Sequence, residues 1–205
     1  MRQSFCILIA LGLFAGQAGA DEREWRLSVA GVVSDAMATN ESAHGSGINP
    51  GARLRFGYGL RNWLEVGGTV GFVWAPALVF PGTMIQGQPG SLHADIVAVE
   101  LAGSVRLVAD FPFARSFFAR NRPFVDLRGG LLLEIMRSPK LLDANNDIVL
   151  DLSQSVMPLP FVGVTVGIEH RFAGSWIAGV SFDYAYAGHQ YQSLGANLEL
   201  SWLTY

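Results

Sequence analysis

The chain has 205 residues, 50% hydrophobic and only 15% charged, and its 14 Lys and Arg against 17 Asp and Glu give a net charge of −3. That balance argues against a nucleic-acid partner. After residue 20 no apolar run approaches the length of a membrane-spanning helix, so a helical inner-membrane protein is excluded and the apolar residues must be spread by alternation.

Met1 to Ala20 place Arg2 before an apolar run from Phe5 to Ala15, and Ala18-Gly19-Ala20 precede the acidic Asp21-Glu22. This predicts a secretory signal peptide cleaved after Ala20, with residues 21–205 forming one barrel domain. The single cysteine, Cys6, precedes the apolar run, so neither lipidation nor disulfide chemistry is expected of the mature chain.

The first strand is predicted at Trp25 to Val33, with Trp25, Leu27, Val29 and Val33 alternating against Arg26, Ser28 and Ala30, before a polar loop from Ser34 to Gly47. The second runs from about Ile48 to Tyr58 and sets Leu54, Phe56 and Tyr58 against Arg53 and Arg55, with a turn at Gly59 to Asn62. In the third, Leu64, Val66, Val70, Phe72 and Trp74 oppose Glu65, Gly67, Thr69 and Gly71. The Pro- and Gly-rich segment Ala75 to Ser91 then reads as a loop. The fourth sets Val97, Val99, Leu101, Val105 and Leu107 against Glu100, Ser104 and Arg106. The connection Asp110 to Arg122 mixes phenylalanines with arginines and reads either as a short surface helix or as an irregular turn with buried rings. The fifth carries Val125, Leu127, Leu131 and Leu133 opposite Asp126, Arg128, Gly130 and Glu134, and a long loop follows from Met136 to Val156.

Phe161 to Tyr186 holds the clearest signal. Val162, Val164, Val166 and Ile168 alternate with Gly163, Thr165, Gly167 and Glu169. After a tight turn, Trp176, Ala178, Val180, Phe182, Tyr184 and Tyr186 alternate with Gly179, Ser181 and Asp183. The last strand repeats the pattern, with Leu194, Ala196, Leu198, Leu200 and Trp202 against Gly195, Asn197, Glu199 and Ser201. Each arm has roughly the ten residues a tilted strand needs to cross a bilayer, and the bulky apolar face is opposed by a small and charged one. The expected fold class is therefore all-β, an eight-stranded antiparallel transmembrane up-and-down barrel with periplasmic N and C termini. A soluble β-sandwich is the rival fold.

One phase per strand collects Arg26, Arg53, Arg55, Glu65, Glu100, Arg106, Asp126, Arg128, Glu134, Glu169, Arg171, Asp183 and Glu199. An arginine facing lipid at mid-depth costs about 2–4 kcal/mol, so this set is assigned to the lumen. Six basic and seven acidic groups in a barrel of this size suggest an ion-paired plug, or alternatively a narrow polar pore. Trp25, Tyr58, Trp63, Phe172, Trp176 and Trp202 fall at one set of strand ends, and Trp74, Tyr184 and Tyr186 at the other, as interfacial girdles would.

By this point the chain resembles the small eight-stranded outer-membrane barrels of the OmpA/OmpX-like and OmpW-like families over its mature length. Ser193-x-Gly195-x-x-Leu198-x-Leu200, followed by Trp202 and the C-terminal Tyr205, is similar to the signal those families present for assembly. The resemblance implies a location in the cell outer membrane and outer-membrane lipids and the barrel-assembly machinery as partners. It also implies the expectation of a monomer. Some small barrels modify lipid A, which directs attention to His44 and Ser46 with Asp35, to His93 and to His189. No deacylase or palmitoyltransferase motif surrounds them, and the chain is not expected to be an enzyme. Asp143, Asn145, Asp147 and Asp151 have the spacing of calcium ligands, but Ile148 and Gln154 replace the turn glycine and the bidentate glutamate. Weak calcium binding and a solvated acidic loop are the two readings, with no cofactor otherwise expected. The functional expectation is a structural or surface-interaction protein with a charged, plugged lumen. The alternative is a narrow pore or carrier for small hydrophobic compounds, with the apolar stretch Ala75 to Ile85 of the second outer loop, together with Trp74, lining an entry pocket.

Overall fold

A computed structural model describes residues 23–38, 49–85, 88–109, 121–143, 145, 147–173, 175–188 and 191–204. The predicted signal segment, His44 and Ser46, Asp110 to Arg120, His189 and Tyr205 lie outside the described residues. Nine strands occupy the described chain: β1 Trp25–Ala38, β2 Asn49–Arg61, β3 Leu64–Ile85, β4 Gln88–Val108, β5 Asn121–Leu142, β6 Ile148–Asp151, β7 Ser155–Ala173, β8 Trp176–Ala187 and β9 Tyr191–Thr204. All neighbours are antiparallel. Eight strands close into a barrel in the order β4-β3-β2-β1-β9-β8-β7-β5, with β5 returning to β4, while β6 pairs only with β5. Trp25 lies opposite Thr204, so the first and last strands meet at one end of the barrel, here the terminal end.

Period two sets the two faces. Phe182 and Leu198 on the outer face are 72% and 68% exposed, whereas Asp183 and Glu199 beside them are 4% and 8% exposed. At the terminal end Trp25 stacks on Phe56 with ring centroids 4.9 Å apart and also meets Tyr58, and Trp176 lies opposite Trp202. These aromatics form part of an exposed row at the strand ends, in the places the alternation assigns them.

The distal end departs from the sequence reading. Ala75 to Ser91, expected as a loop, continues β3 and β4 as a paired hairpin down to Ile85 opposite Gln88. The register shifts between Ala75 and Leu78 and between Pro81 and Thr83, so Pro76 and Gly82 sit in bulges where no ladder hydrogen bond is required. Residues normally taken as strand breakers are accommodated in this way. Trp74 to Ile85 extend β3 on the order of 35 Å past its last pairing with β2.

The expected loop Met136 to Val156 is likewise shorter than predicted, because β5 runs to Leu142 and β6 folds back on it with Lys140 opposite Asp151. Ser138, at φ 47°, turns β5 at this joint, and the N–H of Leu152 donates to the carbonyl of the buried Pro139 at 2.9 Å. The first strand also outlasts its prediction, since Ser34 to Ala38 stay paired with β9. The first turn moves to Asn62-Trp63.

Candidate functional site in the lumen

Strand alternation aims every second side chain of the central spans into the barrel, and cross-strand register decides which of them meet. Glu65 lies opposite Arg106 and Arg106 opposite Asp126, on three successive strands. Long side chains need space, which comes from glycine partners. A Cβ on Gly57 would collide with the Glu65 carboxylate, and one on Gly163 would lie 3.1 Å from Nη2 of Arg128.

The charges separate into two groups. In the half nearer the termini, Arg26 reaches Glu169 at 2.8 Å and Glu199 at 3.1 Å, and Arg106 grips both oxygens of Glu199 at 2.9 and 2.8 Å. Arg55 pairs with Glu65 and stands 3.2 Å from Asp126, which Arg106 also reaches at 3.4 Å. Arg122 donates to Glu169 at 2.7 Å. Four arginines thus face four carboxylates, and the guanidinium of Arg106 further rests over the Phe124 ring at 4.3 Å. Ser201 accepts from Arg26 at 3.0 Å and donates to Glu199 at 2.9 Å.

The second group is a quartet nearer the distal end. Arg128 pairs with Glu100 and with Asp183, the latter at 2.8 Å, and Arg53 reaches both carboxylates at 3.3 Å. Thr69 adds a bond to the Glu100 oxygen that Arg128 holds, at 3.1 Å, and Asn197 donates at 3.0 Å to the Asp183 oxygen that neither arginine reaches. Above the quartet the inward face becomes apolar, with Ala98, Leu132, Phe161, Ala185 and Ala187 in contact. A narrow cavity lies there, its walls including Val32, Leu132 and Phe161 and its floor Arg53, Glu100 and Asp183.

Of the thirteen charges assigned to the lumen, eleven lie in these two groups. Arg171 sits at the terminal rim, 3.8 Å from Glu24. Glu134 lies half-buried near the distal rim, outside both groups. Glu24 and Arg122 complete the arrangement and escaped the sequence reading, which began the first strand at Trp25 and left Arg122 in the aromatic connection. Their signal was available, because Glu24 continues the phase of Arg26 and Ser28, and Arg122 that of Asp126 and Arg128.

In β9, Ser193 and Gly195 face inward while Leu198, Leu200 and Trp202 face outward. Leu203 follows the same alternation and turns inward, 5% exposed. In the loop between β5 and β6 the Asp143 carboxylate accepts the N–H groups of Asn145 at 2.8 Å and Asp147 at 2.9 Å, and Asp151 belongs to β6. No three His, Cys, Asp or Glu gather as a metal-holding group among the described residues. His93 on β4 contacts Ser91 at 3.0 Å.

No protein-family model matches the chain, and neither does any curated protein. Solved structures do. Ail, the attachment invasion locus protein of Yersinia pestis, aligns with a TM-score of 0.54 at 11% identity over 89% of this chain and 99% of its own. Neisserial surface protein A aligns at 0.56 with 13% identity over 87% and 96%, and the outer membrane protein OprG of Pseudomonas aeruginosa at 0.52 with 11% identity over 91% and 98%. The chain has the fold of the small eight-stranded outer-membrane barrels. The same strands expose an apolar wall outward and carry the ion pairs on their inner side, the division of faces that a membrane barrel of this fold requires.

Proposed function

We propose that the chain is a non-conducting outer-membrane barrel that holds its distal β3–β4–β5–β6 extension at the cell surface for interaction. The observation that carries this is the pair of charge-balanced groups spanning the lumen, four arginines on four carboxylates and two on two. Removing such pairs from one another to make a path leaves buried charges unpaired, which is strongly disfavoured. The tight turn at Asn62-Trp63 lies with both termini, and the extensions lie opposite, the asymmetry expected of periplasmic and outer ends respectively. Lipid anchoring, a cleaved signal peptide, delivery by the assembly machinery through the β9 pattern and a monomeric state belong to the same reading. Planar-bilayer reconstitution is expected to show no steady conductance. Stable ion-selective steps, abolished by Arg53→Ala or Glu100→Ala, would overturn it.

A second reading is favoured by the distal cavity, whose apolar walls above a charged floor suit a small hydrophobic compound entering from outside. In that reading the stretch Ala75 to Ile85 continues β3 beyond the cavity wall at Val73. Faster uptake of such compounds by cells making the protein, lost on Leu132→Glu, supports it, and equal uptake with and without the protein ends it.

A further inference from the structure

Between the two ion-pair groups lies a second cavity, and its wall carries an excess of positive charge. Arg53, Arg55, Arg106 and Arg128 line it, against the carboxylates of Asp126 and Glu199. Glu100 and Asp183, which pair with Arg53 and Arg128, are not part of this wall. Arg55, Arg106 and Arg128 are 3%, 2% and 4% exposed, so water outside the barrel does not reach them.

Hydrogen bonding is incomplete on the same residues. Nη2 of Arg55 and Nε of Arg53, Arg106 and Arg128 have no acceptor among the described residues, while the acceptors left without a donor on this wall are Oδ1 of Asp126 and Oδ1 of Asn197. Unmet donors on buried cations thus outnumber unmet acceptors, and buried charged donors are costly to leave unpaired. A species that only accepts, from several directions and with a negative charge, matches that surplus.

We propose that this cavity binds one small monovalent anion of halide size, held between the terminal-side group and the quartet. A carboxylate or phosphate ligand is disfavoured by size, since the cavity between the two groups is only about 20 Å³. Water is the alternative occupant, because it can accept from the arginines and donate to Asp126 and Asn197.

The test refolds the full mature chain into detergent micelles in sodium bromide and crystallises it, with data collected at the bromine absorption edge. An anomalous peak in the cavity beside Arg55 is expected, and solvent density there with no anomalous signal overturns the proposal. A second measurement compares thermal unfolding in bromide and in gluconate at equal ionic strength. The midpoint is expected to rise with bromide concentration as mass action requires, and an identical midpoint in both salts also overturns the proposal. Asn197→Asp, which places a negative charge on the wall, is expected to abolish both signals, and a folded variant that retains the full peak counts against it. If that variant does not fold, the comparison of the two salts on the native chain decides.

Discussion

Arg106 in the terminal-side group and Arg53 in the quartet face the same kind of carboxylate, yet their surroundings differ. The Arg106 side chain is 2% exposed and shares Glu199, Asp126 and Glu169 with other arginines, so every partner it leaves is left in a closed space. Arg53, at 12%, borders the distal cavity, and its carboxylates are also held by Arg128, Thr69 and Asn197. The lesson is that an ion pair in a barrel contributes according to what remains when it is removed. A group that is shared and sealed cannot lose a member cheaply, whereas one with an open side and redundant donors can.

The largest expected effect follows from that difference. Arg106→Leu should destabilise the barrel by about 3–5 kcal/mol, because Glu199 and Asp126 lose a partner without gaining water. Urea unfolding in lipid vesicles, read by heat-modifiable migration, measures it. A loss no larger than that of Arg53→Leu would break the comparison between the groups. Arg106→Leu combined with Glu199→Leu sharpens it, since removing both partners is expected to recover part of the loss.

Next in size is the outer face. Val164→Arg should cost about 2–4 kcal/mol or block assembly, because the side chain would point into lipid from the middle of β7. Membrane fractionation with the same gel assay reports it, and native-like folding of this variant would refute the lipid-facing assignment. Gly130 is not a usable inward control for such a change, because a Cβ there would meet the carbonyl of Leu101 and the backbone of Ala102. Arg53→Leu is expected to cost less, about 1–2 kcal/mol, as the quartet keeps Arg128.

Much of this was legible in the sequence because period two survives averaging over eight strands. Phe182 against Asp183, or Leu198 against Glu199, fixes a face without knowledge of any contact. Which charges would meet was not legible, since that depends on register: Arg26 and Glu199 come together only because β1 closes the barrel on β9. The distal hairpin was hidden by Pro76 and Gly82, whose usual meaning as a loop is cancelled by bulges, and by Pro81, which pairs with Ser91 at the edge of the second bulge. Glu24 and Arg122 were lost at strand ends, where alternation has too few neighbours to declare itself. The inward apolar residues Leu132 and Phe161 were obscured because the inner face was expected to be small or polar throughout.

The smallest effect is expected at Asp143, which marks the opposite extreme from Arg106. Its carboxyl is held below the usual range first by the N–H of Asp147 and then by that of Asn145, in an exposed turn. A carboxyl depressed in the folded state contributes stability above its ordinary titration range and loses it as pH falls through the lowered folded value. Here that loss should be local: the amide resonances of Asn145 and Asp147 shift in acid, while the unfolding midpoint stays unchanged. Asp143→Ala should abolish the amide titration and leave folding intact. The same variant tests the calcium spacing, because a carboxylate already accepting two backbone donors serves the turn before any cation. Titration calorimetry at millimolar calcium is expected to give equal heats for the native chain and for Asp143→Ala with Asp147→Ala. A native heat that the double variant loses would instead make this turn a ligand loop and the distal extension a cation-responsive surface.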